Sequence, residues 1–200
     1  MTPAERLSQT SAVILAGGLA RRMAGADKGL QLLAGEPLIA HVLTRIRKQV
    51  GPIFINANRN QSDYATFAYP VIGDVFPGFI GPLAGLHAAL RVCQTPYLAS
   101  LPCDSPYFPE NLIAQLHNAL SESAAPLAVV RQAGRVHPVF CLCRRSVLPA
   151  LEHYLARGER RFMTWLEESG CAYADFPASA EDFSNFNTLA ALHSAAAPSA

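Results

Sequence analysis

Charge is scarce in this chain of 200 residues, and neither sign dominates. Charged residues make up 16% of the sequence, and the net charge is +1 at pH 7. A general nucleic-acid binder normally carries a strong basic excess, so the composition argues against that class. Half of the residues are hydrophobic, which predicts a sizeable core and argues against a disordered chain.

Long apolar runs are missing as well. The chain has no uninterrupted apolar segment of about 18 residues, the length that a membrane-spanning helix needs. Residues 1–10 are polar and lack the apolar centre of a secretion signal. We therefore expect a cytoplasmic protein without a membrane partner.

Cysteine is sparse and follows no regular framework. The five cysteines are Cys93, Cys103, Cys141, Cys143 and Cys171. Their odd number favours reduced thiols in a cytosolic protein over disulfides. Cys141 and Cys143 could supply two metal thiolates, but no second Cys or His pair accompanies them. On a strand they would share one face, which favours buried packing.

Several familiar motifs for phosphate binding and catalysis are absent. Lys28 is followed by a glycine, unlike the lysine of a P-loop, and Gly17 and Gly18 are adjacent, unlike the dinucleotide fingerprint. The six histidines show no zinc-protease spacing, and no Ser/His/Asp set is readable. His137 is the most site-like histidine, although a packed strand residue is the interpretation that its surroundings favour.

The chain does have a regular alternation of strand-like and helix-like segments. The predicted strands span residues 12–16, 53–56, 69–73, 97–101, 127–131, 137–143 and 172–176. The predicted helices span residues 37–49, 83–93, 111–121, 146–156, 161–168 and 188–193. This order predicts a single-domain α/β fold, a doubly wound and mainly parallel Rossmann-like sheet with helices on both faces.

The expected domain covers residues 11–192, between a flexible N-terminus at residues 1–10 and a flexible tail at residues 193–200. In doubly wound sheets, ligands bind beyond the carboxyl ends of the strands. The loops that follow the predicted strands are therefore the place to look for chemistry.

A glycine pair and basic residues follow the first predicted strand. Gly17 and Gly18 allow the backbone to approach an anionic ligand closely. Arg22 and Lys28 supply the positive charge that a triphosphate needs. The alternative is an ordinary glycine turn with a solvated basic face, but the clustering of these residues with Asp27 favours a nucleotide-binding loop.

Asp104 follows the apolar strand at residues 97–101 and stands between Pro102 and Pro106. A carboxylate at the end of a strand is well placed for Mg²⁺, which takes one or two carboxylates and completes its shell with water and phosphate oxygens. An Asx turn or a helix N-cap is the alternative. The basic loop earlier in the chain favours the metal.

Further polar residues and glycines follow other strands. Asn56 suits a base edge or a ribose hydroxyl, because an amide both donates and accepts, or else it forms a turn. Asp74 is a second candidate carboxylate for metal or substrate, or a solvated turn residue. Gly81 and Gly85 flank the start of a helix, whose N-terminal N–H groups favour anions; a merely long loop is the alternative.

Two segments nearer the C-terminus are candidates for contact with a second substrate. Arg160 and Arg161 belong to a basic turn that could meet a phosphate, or that forms a solvated loop. Asn185 and Asn187 could return to the site, or Asn187 could cap the helix after it.

Taken in order, these motifs resemble a known family. They are Leu15-Ala16-Gly17-Gly18, Arg22-Met23, Asp27-Lys28-Gly29, Gly81-Pro82-Leu83-Ala84-Gly85, Pro102-x-Asp104-x-Pro106 and Asn185-x-Asn187-Thr188. Across residues 12–190 the chain resembles the molybdenum cofactor guanylyltransferases. Leu-Ala-Gly-Gly is shared by many nucleotidyltransferases. The Asp-Lys-Gly spacing, the Gly-Pro-Leu-Ala-Gly loop, His137-Pro138 and Gly158-Glu159-Arg160-Arg161 are together specific to the family.

The resemblance implies an Mg²⁺-dependent enzyme that transfers GMP from GTP to the terminal phosphate of molybdopterin and releases pyrophosphate. The positions that match the family's nucleotide-binding residues are Leu15, Ala16, Gly17, Lys28, Asn56, Asp74 and Asp104. Asp104 also matches the Mg²⁺ ligand. To the nucleotide site we add Gly18, and the expected catalytic residues are Lys28, Arg22 and Asp104. The candidates for the second substrate are Gly81, Gly85, Arg160, Arg161, Asn185 and Asn187.

Other functions stay open beside this one. A cytidylyltransferase for the same cofactor and a sugar-nucleotide pyrophosphorylase are the enzymatic alternatives. A silent nucleotide-binding or cofactor-delivery module is the alternative from another class, and Lys28 and Asp104 argue against it. The expected partners are GTP and molybdopterin, then molybdoenzymes, their chaperones and other cofactor-biosynthesis proteins, with no nucleic acid.

Overall fold

A computed structural model describes residues 2–18, 27–76, 81–178, 183 and 185–186. Its strands are β1 (Thr10–Leu15), β2 (Leu32–Leu33), β3 (Glu36–Pro37), β4 (Ile53–Asn56), β5 (Val71–Ile72), β6 (Tyr97–Pro102), β7 (Leu127–Gln132), β8 (Arg135–Arg144) and β9 (Cys171–Phe176). Its α-helices are α1 (Pro3–Gln9), α2 (Leu38–Ile46), α3 (Gln61–Ala65), α4 (Pro82–Val92), α5 (Leu112–Ser121), α6 (Leu148–Ala156) and α7 (Phe162–Ser169). None of the helices in these ranges is long and apolar enough to cross a membrane.

The described strands form one seven-stranded sheet and a small two-stranded one. The order in the large sheet is β5-β4-β1-β6-β8-β7-β9, and β2 pairs with β3. Strands β5, β4, β1 and β6 are mutually parallel, and β9 is parallel to β7. Strand β8 is antiparallel to both of its neighbours. The predicted mainly parallel α/β sheet is therefore confirmed.

Both faces of the sheet are buried, which explains why its central strands are almost wholly apolar. Ile14 of β1 belongs to the core cluster that includes the apolar sides of α2 and α5. Val13, the preceding residue, belongs to the opposite cluster, which includes α4, α6 and α7. Successive strand residues point to opposite faces, so a run without polar interruptions is what a sheet covered on both sides requires.

The chain begins differently from the prediction of a flexible N-terminus over residues 1–10. Pro3–Gln9 forms α1, and Thr10 is already the first residue of β1. Thr2 caps the helix: its side chain accepts from the N–H of Glu5, whose carboxylate accepts in turn from the N–H of Thr2. This capping box is visible in the sequence as Thr-x-x-Glu. The predicted helix at 188–193 and the tail at 193–200 lie outside the described residues.

Strand β8 contains an irregularity in its pairing with β7. Its pairing with β7 jumps from Val130–His137 to Val129–Cys141, so β8 has three extra residues at this point. Val136, before the jump, packs with the cluster on the α4 face, whereas Leu142, after it, belongs to the cluster on the α2 face. Such bulges shift which residues face each side of a sheet and occur often beside functional sites.

The cysteines behave as predicted. All five are free thiols, and Cys141 and Cys143 are buried. Both belong to the same core cluster, with their sulfur atoms 3.7 Å apart. Their alternation on one face of β8 makes them packing residues.

Candidate active site

The carboxyl ends of three adjacent parallel strands form the floor of the candidate site. Leu15 at the end of β1 is in register with Asn56 at the end of β4 and with Pro102 at the end of β6. Residues that follow these three positions must therefore leave the sheet at one edge. Gly17 and Asp104 do so from neighbouring strands, as the sequence predicts.

A cavity of about 230 Å³ opens at this edge. It is lined by Leu15, Gly17, Gly18, Asn56, Asp74, Gly81, Pro82, Pro102 and Val139. Ala16, between two lining residues in the sequence, is buried, and its N–H donates to the carbonyl of Asn56 at 2.8 Å. The structure thus brings most of the predicted nucleotide-binding residues to one cavity.

Asp74 is held by two asparagines at one side of the cavity. Asn56 Nδ2 donates to one carboxylate oxygen at 2.9 Å, and Asn58 Nδ2 donates to the other at 2.7 Å. The amide oxygen of Asn58 accepts from the N–H of Asp74 at 2.8 Å. These bonds join the carboxyl ends of β4 and β5 and fix the direction in which the carboxylate points.

Two glycines permit the close packing around Asn56. A Cβ added at Gly85 would lie 2.7 Å from Cδ2 of Leu15 and closer still to Oδ1 of Asn56. A Cβ added at Gly17 would lie 3.3 Å from the same oxygen. Gly85, predicted for the second substrate, is buried in helix α4. In this structure it makes room for Asn56, whereas Gly81 lines the cavity with a positive φ of 93°.

Lys28 and Asp104 form an ion pair between two separate segments of the chain. The Nζ of Lys28 lies 3.1 Å from Oδ2 of Asp104. The Asp104 side chain is only 7% exposed, and that of Lys28 is 26% exposed. Burial raises the pKa of Asp104 above its ordinary value, and the charge of Lys28 partly opposes that rise. A buried carboxylate with one partly exposed cation beside it is suited to bind a further cation, including one that is bound to a phosphate.

Asp27 fixes the turn that carries Lys28. One of its oxygens accepts from the N–H of Gly29 at 3.2 Å and from the hydroxyl of Tyr64. The other accepts from Nδ2 of Asn60 at 3.1 Å. A Cβ at Gly29 would lie 2.5 Å from the Tyr64 hydroxyl, so the tight turn needs glycine there.

Tyr64 and Asn60 were not predicted as site residues. Tyr64 is fully buried in the short helix α3, and burial together with its bond to Asp27 raises the pKa of its phenol. Nothing in the local sequence links α3 to Lys28, because the two are more than thirty positions apart. In the sequence, only the Asp27-Lys28-Gly29 motif indicates a tight turn that other residues must hold in place.

A metal ion would have to rely on Asp104 and on oxygens from a ligand. Within the described ranges, no group of three or more His, Cys, Asp or Glu side chains is placed to hold a metal. The carboxylate of Asp74 already accepts from two amides. One buried carboxylate combined with phosphate oxygens is the donor set that Mg²⁺ uses in phosphoryl-transfer enzymes, so the residues present fit that ion.

The residues predicted for the second substrate fall in different places. Asn185 approaches the Asp104 loop, where its Oδ1 accepts from Ser105 Oγ at 2.9 Å. The guanidinium of Arg160 donates to the carbonyl of Leu155 at 2.8 Å. Arg161 is exposed at the start of α7. Neither arginine lines the cavities at the carboxyl edge of the sheet.

Two of the predicted residues, Arg22 and Asn187, lie outside the described part of the chain. Their roles therefore stay predictions.

Comparison with known proteins decides the family. A family model described as a MobA-like NTP transferase domain matches residues 12–170. The chain belongs to the MobA-like NTP transferase family.

Curated relatives are similar over nearly their whole length. A molybdenum cofactor guanylyltransferase from Pasteurella multocida is 46% identical over 91% of this chain and 96% of its own. One from Mannheimia succiniciproducens is 47% identical over 92% of this chain and 97% of its own.

Solved structures show the same fold at low sequence identity. A molybdopterin-guanine dinucleotide biosynthesis protein A from Archaeoglobus fulgidus superposes with a TM-score of 0.72 at 24% identity, covering 93% of this chain and 96% of its own. A putative glucose-1-phosphate thymidylyltransferase from Bacillus anthracis gives 0.72 at 14% identity, with 94% of each chain covered. These likenesses support the nucleotidyltransferase fold.

Proposed function

We propose that this protein transfers GMP from GTP to the terminal phosphate of molybdopterin, forming the guanine dinucleotide cofactor and pyrophosphate. The observation that carries the proposal is the Lys28–Asp104 pair at 3.1 Å, placed at the edge of the sheet beside a cavity that the glycine pair lines. The relatives named molybdenum cofactor guanylyltransferase support the identity of both substrates.

The nucleotide occupies the cavity between β1, β4 and β6. Backbone N–H groups at Gly17 and Gly18 and the charge of Lys28 hold the triphosphate, joined by Arg22. Asn56 and Asp74, which line this cavity, contact the ribose or the base. Asn58 fixes the Asp74 carboxylate.

Group transfer follows from this placement. An oxygen of the acceptor phosphate attacks the α-phosphorus in line and forms a new P–O bond. The bond from the α-phosphorus to the oxygen that bridges to the β-phosphate breaks, and its electron pair leaves with pyrophosphate. Lys28 neutralises charge on the phosphate oxygens, so positioning and electrostatics supply most of the rate enhancement.

No strong general base is needed in this reaction. A phosphate monoester has a second pKa of about 6, so it is already largely ionised near neutral pH. Catalysis then depends on bringing two negatively charged groups together, which explains the value of the cationic side chains at this edge of the sheet.

Asp104 is the residue that would hold Mg²⁺. When bound, the ion would neutralise phosphate charge and polarise the phosphoryl oxygens. The buried carboxylate would provide the protein ligand, and the charge of Lys28 opposes the effect of burial on its pKa.

A pyrophosphate-release assay with GTP or CTP tests the proposal. Purified protein is given molybdopterin, Mg²⁺ and one nucleotide, and the dinucleotide product is identified by mass spectrometry. We expect product with GTP and at least about tenfold less with CTP. A preference for CTP would identify the cytidylyltransferase instead, and turnover with sugar phosphates but not molybdopterin would identify the pyrophosphorylase.

We also infer a cytoplasmic location, supported by the five free cysteines. Molybdoenzymes, their chaperones and other cofactor-biosynthesis proteins stay predicted partners.

A further inference from the structure

Strands β6 and β8 separate at the carboxyl edge of the sheet. Their pairing ends at Ser100 and Cys141, although β6 continues to Pro102. The three extra residues of β8 begin at this point. The hydroxyl of Ser100 donates to the carbonyl of Val139 at 2.5 Å and ties the displaced segment to β6. The separation is therefore a fixed feature of the sheet.

A second cavity, of about 360 Å³, fills the gap between the two strands. Pro102 and Val139 line both this cavity and the nucleotide cavity. The two cavities therefore adjoin at the carboxyl end of β6, two residues before Asp104. A ligand in the second cavity can reach a nucleotide in the first without crossing the protein interior.

The walls of the second cavity combine a cation, hydrogen-bonding groups and an apolar ring. Arg135 and His137 lie on β8 before the bulge, and Asn185 faces them from a later segment. Phe183, fully buried, supports the imidazole of His137, with ring centroids 5.4 Å apart. Arg135 is exposed, and no carboxylate pairs with it among the described residues. Its charge is thus available to an anionic ligand.

The same segment that brings Asn185 also touches the Asp104 loop. The N–H of Phe186 donates to the carbonyl of Asp104 at 2.8 Å, and Ser105 donates to Asn185. These bonds place the hydrogen-bonding side of the second cavity next to the backbone of Asp104, the residue that would hold the metal. An acceptor bound there would have its phosphate directed toward the point where the two cavities meet.

We propose that this second cavity binds the acceptor, a phosphate monoester that carries a planar heterocycle with a hydrogen-bonding edge. His137 and Asn185 bond the heterocycle, and Arg135 attracts the anion to the mouth of the cavity. The inference rests on the proposed function, since the acceptor of that reaction has this chemistry. It adds Arg135 and His137 to the residues that bind the acceptor. The sequence had not predicted either of them as a contact of the second substrate.

Steady-state kinetics of Arg135→Gln and His137→Ala with GTP and molybdopterin test the inference. Each variant loses a hydrogen bond or charge to the acceptor, so we expect KM for molybdopterin to rise about tenfold. We expect KM for GTP, and the Kd of GTP measured by calorimetry in the absence of acceptor, to stay within about twofold. The matched controls are Arg91→Gln and His153→Ala, whose side chains are exposed on helices α4 and α6.

The outcomes separate the two proposals. Wild-type protein that transfers no GMP to molybdopterin overturns the proposed function, and this inference with it. Wild-type transfer with an unchanged acceptor KM in both variants overturns this inference alone. A parallel rise in KM and Kd for GTP also overturns it, because the residues would then serve the nucleotide. Arg135→Gln keeps the test valid if His137→Ala fails to fold, since Arg135 is exposed.

Discussion

The two halves of the sheet contribute to the site in different ways. In the parallel half, β5-β4-β1-β6, short polar side chains and glycines directly follow each strand and are tied to one another. In the other half, β8-β7-β9, a register shift between paired strands opens a cavity. In the parallel half, the order of the strands brings the polar groups together. In the other half, an interruption of strand pairing does so.

This difference has a physical origin. Parallel strands that end together deliver whatever follows them to one edge, so their loops converge without special local geometry. Strand β8 runs antiparallel to β6, so its first residues lie at this edge. In a regular strand, successive side chains there would point to opposite faces of the sheet. Three extra residues are needed to turn His137 and Val139 toward the site.

Loss of the Asp104 carboxylate should have the largest effect and would establish where the chemistry occurs. We expect Asp104→Asn to lower kcat by about 10² to 10³-fold, the usual cost of removing one electrostatic contact to a reacting group. Pyrophosphate release measures it, and the melting temperature checks the fold. Asp63→Asn, exposed on α3, is the control. Near wild-type turnover of Asp104→Asn would refute the assignment.

Crowding helix α4 against Asn56 tests the close packing of the parallel half. Gly85→Ala should displace Asn56 and weaken GTP binding by about tenfold, because both the Asn56 contact and its bond to Asp74 are disturbed. The double variant with Asn56→Ala should bind GTP no more weakly than Asn56→Ala alone. Additive losses in calorimetry would show that Gly85 acts in some other way.

The support of Lys28 by Tyr64 can be tested by removing one hydroxyl. Tyr64→Phe deletes the donor to Asp27 and should lower the free energy of unfolding by about 1 kcal/mol. The loosened turn should lower kcat/KM for GTP by about threefold to tenfold. Urea denaturation and kinetics measure the two effects. Tyr173→Phe, on the exposed face of β9, should change neither, and an equal effect there would remove the case for Tyr64.

A hydrogen bond from Ser100 of β6 to the carbonyl of Val139 joins the parallel half to the bulge of the other half. Ser100→Ala should loosen Val139 and raise KM for molybdopterin about threefold, with KM for GTP unchanged. Ser123→Ala removes an exposed hydroxyl and is the control. If KM for GTP rises instead, the two halves of the sheet do not divide the substrates between them.

The smallest expected effect is a shift in a titration. Burial raises the pKa of Asp104 above 3.8 and Lys28 opposes this rise, so Lys28→Gln should raise it further. Because the carboxylate form is needed for metal binding, the acid loss of activity should then begin at a higher pH. The folded protein also holds this proton more tightly than the unfolded chain, so the contribution of Asp104 to stability decreases as pH rises. Carboxyl NMR titration measures the pKa, and an unchanged midpoint would contradict the pairing.

Much of the parallel half could be predicted because its signals are local. Gly17, Lys28 and Asp104 each follow a strand or a glycine turn in the sequence, and the structure brings them to one edge. The support from Tyr64 could not be predicted, since it depends on a contact between distant segments. The cap of α1 is a local signal too, since Thr2 and Glu5 have the Thr-x-x-Glu spacing of a capping box.

The sequence by itself determined the fold class, the reduced cysteines and the identity of the groups at the parallel edge. These follow from periodicity and from the residues that end each strand, which are local properties. Only tertiary structure decided that Gly85 makes room for Asn56 and that His137 faces a cavity instead of the core. The first depends on how helix α4 packs against β4, and the second on how β8 pairs with β7. Many residues far apart in the chain contribute to the energy of each alignment.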